Sequence, residues 1–310
     1  MKLAAFPKAY IEQISSGALP LPEWIAMGAS LDVEGLELYE HFLASLEPFY
    51  LDDVRALLDS HGLAMPMLCC SPDFTHPGAA ERAGAIRRHV ELIRTAGHLG
   101  GAGATCRVLS GQRHPGVSRT DGVRWVLEAF DELLPVARDL DVVLAMENHY
   151  KDGRWRYAEF AQRRDVFLEI LSAVEDRTHF GVQFDPSNAL VAGDDPVDFL
   201  RTVADRVVTM QASDRALAPG ATLDMLRQAD GTVGYSPLLQ HGVVGRGLND
   251  YDAIFDVLRE AGYDGWISIE DGVSGMGEMA ESLAFLRQKI AQRPSADQPL
   301  TQDPAAGVRR

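Results

Sequence analysis

Four polar residues each stand at the end of a short apolar run, and their types point to metal-assisted chemistry. They are Glu147 after VVLAM, Asp185 after HFGVQF, Gln211 after RVVTM and Glu270 after GWISI. Apolar runs of this length are typical of strands buried on both faces, and the carboxyl ends of parallel strands meet where α/β proteins bind ligands. Carboxylate and amide oxygens are ligands for hard divalent cations. The four residues therefore predict one metal site, at which a carbonyl or alkoxide oxygen is polarised and the neighbouring C–H becomes acidic.

Two of these residues, Glu147 and Glu270, are candidates for acid–base catalysis. If they lie on opposite sides of a bound substrate, one removes a proton from a carbon beside a carbonyl and the other returns a proton elsewhere. Glu147 begins the sequence Glu147-Asn148-His149, and side chains two apart in a strand lie on the same face. We therefore expect His149 in the same mouth, as a third catalytic candidate.

Other polar residues near the predicted strand ends are candidates for substrate binding. Asn188 would hydrogen-bond a substrate hydroxyl or cap the next turn, and Arg107 would contact a substrate oxygen or pair with an acid. Asp214 follows a strand end, where it would orient a metal ligand or cap the segment that follows. Glu37 and His241 are further candidates at the rim of the site.

The chain alternates short apolar runs with longer amphipathic ones, which is the pattern of a (β/α)₈ barrel. The predicted strands are Lys2–Phe6, Gly35–Tyr39, Leu63–Leu68, Ala104–Leu109, Val142–Glu147, Phe180–Asp185, Val207–Gln211 and Trp266–Glu270. Eight strands with their helices over roughly 290 residues match the size of such a barrel with insertions. The expected fold is therefore α/β, with one TIM-barrel domain over residues 1–292.

Two segments fall outside the repeating pattern. Residues Asp214–Gly247 separate the seventh strand from the next helix, and the length and apolar content of this insertion predict an ordered lid. Residues 293–310 are rich in Pro, Gln, Asp and Ala, which predicts a disordered tail.

The composition disfavours several classes of protein. The 310 residues include 29 basic and 45 acidic side chains, a net charge of −16, with no strongly basic stretch, so no nucleic-acid partner is expected. No apolar run is long enough to span a bilayer, and no signal peptide is expected at the amino terminus. Three cysteines, Cys69, Cys70 and Cys106, are too few for a disulfide scaffold and predict buried thiols in a reducing compartment. We therefore expect a cytoplasmic protein with no membrane partner.

The ordered set of strand-end residues resembles that of the xylose isomerase-like sugar isomerases and epimerases. The likeness spans about Lys2 to Ile290 and includes the sequence GYDGWISIE at the last strand. In the ketose 3-epimerase branch, two glutamates, an aspartate and a histidine bind manganese or a related ion, and the glutamates exchange the protons. Glu147, Asp185 and Glu270 match that set, whereas MQASD places Gln211 where the family pattern, HxKD, has its histidine.

The resemblance implies a metal-dependent sugar isomerase or epimerase that works through an enediolate. The implied cofactor is a divalent ion, Mn²⁺ first, with Mg²⁺, Co²⁺ and Zn²⁺ as alternatives, and the implied partner is a small-molecule sugar. Substrate contacts are implied at Asn188 and at Arg246, which lies in Gly245-Arg246-Gly247. Because members of this superfamily often pair their barrels, a homo-oligomer is consistent with the resemblance.

Three other functions remain open from the sequence. The first is a lyase that acts on 3-keto-glycosides, since the chain also resembles C-glycoside deglycosidases, in which a histidine beside the metal site has the role suggested here for His149. The second is endonuclease IV-like DNA repair, which the net charge of −16 and the lack of a dense histidine cluster disfavour. The third is a barrel that binds a ligand without catalysis, which the glutamine at position 211 would explain.

Overall fold

The structure is a computed structural model that describes residues 1–228, 238–270 and 272–292. Its strands are β1 (Lys2–Ala5), β2 (Gly35–Leu36), β3 (Leu38–Tyr39), β4 (Met67–Cys69), β5 (Thr105–Val108), β6 (Val143–Glu147), β7 (Phe180–Phe184), β8 (Val207–Ala212), β9 (Arg215–Leu217), β10 (Leu239–His241) and β11 (Trp266–Ile269). Nine of these strands form one parallel sheet in the order β2-β1-β11-β8-β7-β6-β5-β4-β3. The predicted (β/α)₈ barrel is confirmed.

The sheet closes on itself around Glu37. β2 and β3 are the two halves of one barrel strand that is interrupted at this residue. The first half pairs with β1 and the second half pairs with β4. Between them, Leu36 donates its backbone N–H to the Ala64 carbonyl at 2.9 Å. The interruption thus joins the two ends of the sheet, and the eight predicted barrel strands correspond to β1, the β2–β3 pair, β4 to β8 and β11.

Helices surround the sheet and bury their apolar stripes against it. They are α1 (Ile11–Ser15), α2 (Leu21–Ala29), α3 (Pro48–Ser60), α4 (Ala79–Gly100), α5 (Arg119–Asp139), α6 (Arg164–Ala173), α7 (Pro186–Ala192), α8 (Pro196–Val203), α9 (Leu223–Gln228), α10 (Tyr251–Glu260) and α11 (Met276–Ala291). In α5 the buried side chains include Val126, Phe130 and Leu133, which recur at helical spacing. Burying each such side chain stabilises the fold by about 1.5–3 kcal/mol relative to leaving it exposed.

The third predicted strand begins later than its sequence suggested. The apolar run Leu63–Leu68 predicts a strand of six residues, but β4 covers Met67–Cys69. The reason is Pro66, which has no N–H to donate to a ladder. Its carbonyl still accepts the N–H of Thr105 at 2.9 Å, so the chain runs beside β5 before the regular pairing begins.

The described parts of the insertion between β8 and α10 fold back on each other. Its two short strands, β9 and β10, form an antiparallel pair. Leu239 of β10 packs in a small apolar cluster with Tyr150 and Val191. Residues 229–237, in the middle of the insertion, lie outside the described part of the chain, and its action as a lid stays a prediction. The predicted tail, 293–310, also lies outside the described residues.

The cysteines agree with the expectation of buried thiols. All three are free and buried, and the Sγ atoms of Cys70 and Cys106 lie 3.9 Å apart. Across the described ranges, no helix combines the length and the apolar character needed to cross a membrane.

Candidate active site

A cavity of about 280 Å³ opens at the carboxyl ends of the barrel strands. Its lining includes Lys8 after β1, Arg107 on β5, His149 after β6, Asn188 on α7 and Glu270 after β11. The strands hold these side chains at one mouth although the residues are widely separated in sequence. Four of the five were predicted as site residues, and Lys8 was not.

Glu147 is the last residue of β6 and is fully buried beside the cavity. Its Oε2 accepts a hydrogen bond from Nη1 of Arg107 at 2.8 Å, and its Oε1 accepts one from Nδ2 of Asn188 at 2.8 Å. Arg107 is itself fixed by donating from Nε to the Cys70 carbonyl at 3.0 Å and from Nη2 to Ser71 Oγ at 3.1 Å. Both oxygens of Glu147 are therefore engaged, and its charge is balanced by the buried guanidinium.

Asp185 follows β7 directly and caps the amino terminus of α7. Its Oδ1 accepts from the backbone N–H of Asn188 at 2.9 Å and from Ser213 Oγ at 2.7 Å. Its Oδ2 is buried and has no hydrogen-bond partner among the described residues. Burial raises the pKa of Asp185 to about 8, with the nearby charges of Glu270 and Glu147 acting in the same direction.

Gln211 lies in a polar layer one step deeper in the barrel than Glu270. It stands opposite Ser268 in the pairing of β8 with β11. Its Nε2 donates to Oε2 of Glu37 at 2.7 Å, and its Oε1 accepts from Nε2 of Gln183 at 2.6 Å. Burial raises the pKa of Glu37 to about 8. Gln211 and Glu37, both predicted for the site, thus form part of its floor and bond to each other, and both polar atoms of Gln211 bond within the barrel.

Glu270 follows β11 and pairs with Lys8. Lys8 Nζ lies 2.8 Å from Glu270 Oε1, and each side chain is 14% exposed. Burial raises the pKa of Glu270, but the charge and hydrogen bond of Lys8, with the charges of Arg107 and His149, together outweigh burial and lower the pKa to about 2. Lys8 lies just after the first strand. The four predicted ligands were identified as acidic or amide residues that follow an apolar run, and the same search for basic residues would have identified Lys8.

His149 lines the cavity above Glu147, as the strand alternation predicts. Its Nδ1 lies 3.5 Å from Oε2 of Glu159. Burial lowers the pKa of His149, but the charges of Glu147 and Glu159 outweigh burial, so the pKa is raised. This environment favours the protonated imidazolium, which is a proton donor.

Asp152 is a cavity residue that sequence reasoning missed. Its Oδ2 accepts from Tyr39 Oη at 3.0 Å and from Ser71 Oγ at 2.7 Å. These bonds tie the loop after β6 to the ends of β3 and β4. No apolar run precedes Asp152, so the strand-end pattern carried no signal for it.

Three other predicted substrate-binding residues, Asp214, His241 and Arg246, are not among the residues that line the cavity. Asp214 accepts backbone N–H groups from Arg215, Gly245, Gly247 and Asn249 at 2.9–3.2 Å, which pins the return of the insertion. His241 ends β10, where burial and the charge of Lys8 lower its pKa to about 3. Arg246 pairs with Glu281 of α11, and its side chain is 68% exposed. Their roles in substrate binding stay predictions.

The predicted ligands Glu147, Asp185, Gln211 and Glu270 do not fit a resident divalent ion in the arrangement observed. Both polar atoms of Gln211 and both oxygens of Glu147 are engaged, and Glu270 is paired with an ammonium. Among these four, Asp185 has a buried oxygen, Oδ2, with no hydrogen-bond partner in the described part of the chain. Within the described ranges, no three His, Cys, Asp or Glu side chains are grouped to hold a metal ion. The four-residue ligand set therefore stays a prediction.

Solved structures resemble this barrel along almost its whole length. A D-tagatose 3-epimerase-like protein matches with a TM-score of 0.73 and 17% identity, over 94% of this chain and 97% of the other. The 3-keto-D-glucoside 4-epimerase YcjR from E. coli matches with a TM-score of 0.64 and 18% identity, over 93% and 99%. The IolI protein, solved with a bound zinc atom, matches with a TM-score of 0.69 and 15% identity, over 94% and 96%. At these identities the likeness establishes the fold alone.

Among curated proteins, no sequence matches the chain. A family model does match, and it covers residues 25–289. This range extends from α2 into α11 and contains every proposed site residue except Lys8. The chain therefore belongs to the xylose isomerase-like TIM barrel family.

Proposed function

We propose that this protein is a sugar isomerase or epimerase that moves a proton at a carbon beside a carbonyl. The observation that carries the proposal is Glu270, a buried carboxylate held ionised at the wall of the cavity by Lys8. An ionised carboxylate at a small-molecule cavity is a candidate general base. Support comes from the family and from the ketose 3-epimerases and 3-keto-D-glucoside 4-epimerase among proteins of similar fold.

In this reaction Glu270 takes the proton from the substrate carbon. The C–H electron pair forms a carbon–carbon double bond, and the carbonyl π pair moves onto oxygen to give an enediolate. His149, whose environment favours the protonated form, returns a proton to the opposite face or to the neighbouring carbon. Glu147 is the second acid–base candidate, and its bonds to Arg107 and Asn188 also position these two donors at the cavity.

The substrate is a small sugar or a sugar derivative. Asn188 and Arg107 line the cavity and are suited to hydrogen-bond its hydroxyl groups. The fold family also suggests a divalent ion held by Glu147, Asp185, Gln211 and Glu270. Since the observed hydrogen bonds do not fit such an ion, no step of the proposed reaction passes through it.

A second candidate reaction is β-elimination from a 3-keto-glycoside. The observation that favours it is His149, which is placed in the cavity wall with a raised pKa. After the same proton abstraction, the electron pair of the enediolate would expel the aglycone, and the imidazolium would protonate the leaving oxygen or carbon. The two reactions share the first step and differ in whether the glycosidic bond survives.

The test is solvent exchange followed by NMR in deuterated water. Candidate ketoses and 3-keto-glycosides are incubated with the wild type, with Glu270→Gln and with Glu260→Gln, a control on the exposed face of α10. We expect deuterium at the carbon beside the carbonyl, a rate lower by about 10²–10⁴-fold in Glu270→Gln, and no change in the control. Release of aglycone would select the elimination. The acid–base assignment is wrong if Glu270→Gln exchanges the substrate as fast as the wild type.

A further inference from the structure

We propose that the ammonium of Lys8, with the guanidinium of Arg107, supplies the positive charge that holds the substrate's carbonyl oxygen, in the role that the family resemblance gives to a divalent ion. The inference rests on the proposed function for the identity of the substrate group. Its charge arrangement, however, is a property of the protein alone and is tested without substrate.

The two cations are built into the same wall as the two predicted catalytic glutamates. Lys8 Nζ lies 2.8 Å from Glu270 Oε1, and Arg107 Nη1 lies 2.8 Å from Glu147 Oε2. The Lys8 and Glu270 side chains are each 14% exposed, while Arg107 and Glu147 are 6% and 0% exposed. Charges this far from water are paired in folded proteins because an isolated buried charge is costly. Both cations also line the cavity, so each faces the substrate as well as its carboxylate.

The same pairs occupy one oxygen of Glu270 and one oxygen of Glu147, and Asn188 holds the other oxygen of Glu147. A divalent ion bound by Glu147 would have to displace the guanidinium or this amide, and an ion bound by Glu270 would share that carboxylate with an ammonium. The fourth predicted ligand, Gln211, bonds through its oxygen to Gln183 and through its nitrogen to Glu37. The imidazole that would compete best for a transition metal is absent from this position. The site is therefore charge-balanced by side chains.

An ammonium is suited to the proposed role because it has three donors. With three donors, the group can keep its bond to Glu270 while it donates to the carbonyl oxygen of the substrate. When Glu270 removes the neighbouring proton, negative charge develops on that oxygen, and a fixed cation at hydrogen-bond distance stabilises it. The oxygen loses this charge when the carbonyl re-forms and the carbon is reprotonated, so Lys8 begins and ends the cycle as an ammonium.

The first experiment measures Mn²⁺ binding by calorimetry and by electron paramagnetic resonance, without substrate. It compares the wild type, Lys8→Met, Lys8→Gln and the control Lys2→Met, which removes a lysine at the other end of β1 that lies over the Trp266 ring. We expect weak binding by the wild type and by Lys2→Met. The Lys8 variants, in which Glu270 loses its positively charged partner, should bind Mn²⁺ at least tenfold more tightly. Circular dichroism checks that each variant is folded, and Lys8→Gln keeps a donor for Glu270 if Lys8→Met does not fold.

The second experiment follows proton exchange in a substrate identified by the NMR test. The wild type should keep its rate after treatment with EDTA, and Lys8→Met should lose about 10²–10³-fold, the usual effect of removing one donor from a developing oxyanion. Lys8→Arg should recover part of that rate, because it restores the charge.

One equivalent of tightly bound metal in the wild type, lost to EDTA together with activity, would overturn the proposal. So would equal Mn²⁺ affinity in Lys8→Met and Lys2→Met. If no sugar exchanges a proton at all, the proposed function fails, while the Mn²⁺ titration still decides whether Lys8 occupies the place of the ion.

Discussion

The ion pair between Arg107 and Glu147 offers a direct test of the electrostatics of this site. Replacing Arg107 with Met removes three hydrogen bonds, to Glu147 Oε2 at 2.8 Å, to the Cys70 carbonyl at 3.0 Å and to Ser71 Oγ at 3.1 Å. It also leaves a carboxylate that is 0% exposed without its counter-charge. Removing one partner of a buried pair costs about 3–5 kcal/mol, and we expect Arg107→Met to lower the free energy of unfolding by that amount.

A second substitution, at Glu147, should restore part of the stability that Arg107→Met removes. Glu147→Gln added to Arg107→Met removes the unpaired charge, while the amide oxygen still accepts the hydrogen bond of Asn188. The double variant should therefore be more stable than Arg107→Met alone, and the coupling energy between the two substitutions should be about 0.5–3 kcal/mol, the range seen between contacting residues. The exposed pair Arg177–Asp205, at 2.6 Å with side chains 63% and 66% exposed, is the matched control. Its coupling should lie below about 1 kcal/mol.

Equilibrium unfolding in urea measures all of these free energies. Circular dichroism and tryptophan fluorescence should give coincident transitions where a single free energy of unfolding is valid. Purely additive effects of Arg107→Met and Glu147→Gln would refute the reasoning, because they would mean that the two charges do not sense each other in the folded protein. A loss as small as that of the exposed pair would refute it too.

Two further predictions concern residues outside the cavity. Asp214→Ala removes the acceptor of four backbone N–H groups at the end of the insertion. Since each buried unsatisfied donor costs about 1–3 kcal/mol, we expect the free energy of unfolding in urea to fall by about 2–4 kcal/mol and proteolysis within the insertion to become faster. Unchanged proteolysis would contradict this role. Burial raises the pKa of Asp176, but the N–H of His179 and the guanidinium of Arg138 outweigh burial and lower it to about 2. Because the folded-state pKa lies below the unfolded value, this contribution to stability is present above about pH 4 and is lost as the pH falls toward 2. Asp176→Asn should therefore weaken the dependence of the melting temperature on pH between these two values. An unchanged dependence on pH would exclude the contribution of Asp176.

The strand ends were predictable because burial and alternation act locally. A parallel barrel strand must be apolar where it is covered on both faces, so the first polar residue after the run marks the mouth. This rule placed Glu147, Asp185 and Glu270 correctly at the ends of β6, β7 and β11. The same locality explains the difference at β4, where Pro66 interrupts an apolar run whose composition alone suggests a longer strand.

The partners of the strand-end residues could not be predicted in the same way. Gln211 bonds to Glu37, 174 positions away in the sequence, and Lys8 bonds to Glu270, 262 positions away. The barrel brings these residues together only when it closes, and a single sequence contains no signal for which side chains then meet. Arg246, which the family resemblance implied as a substrate contact, pairs with Glu281, 35 positions away, and its role in substrate binding stays a prediction.

The chemistry of the site follows from how three buried carboxylates are balanced. Glu147, Asp185 and Glu270 close to one another would repel, and either a bound divalent ion or fixed cations must offset that repulsion. Two side-chain cations offset two of the carboxylates here, and burial favours the neutral form of the third, Asp185. A divalent ion carries two positive charges at one point, whereas Lys8 and Arg107 carry one positive charge each at separate points. A bound ion can dissociate or exchange, whereas the two side chains are covalently part of the protein. A site with two side-chain cations places less positive charge next to one substrate oxygen than a divalent ion would. Its positive charge, however, does not depend on the supply of metal. The Mn²⁺ affinity of the Lys8 variants tests this balance, because it reports how much of the metal site implied by the family resemblance the carboxylates still form once the ammonium is removed.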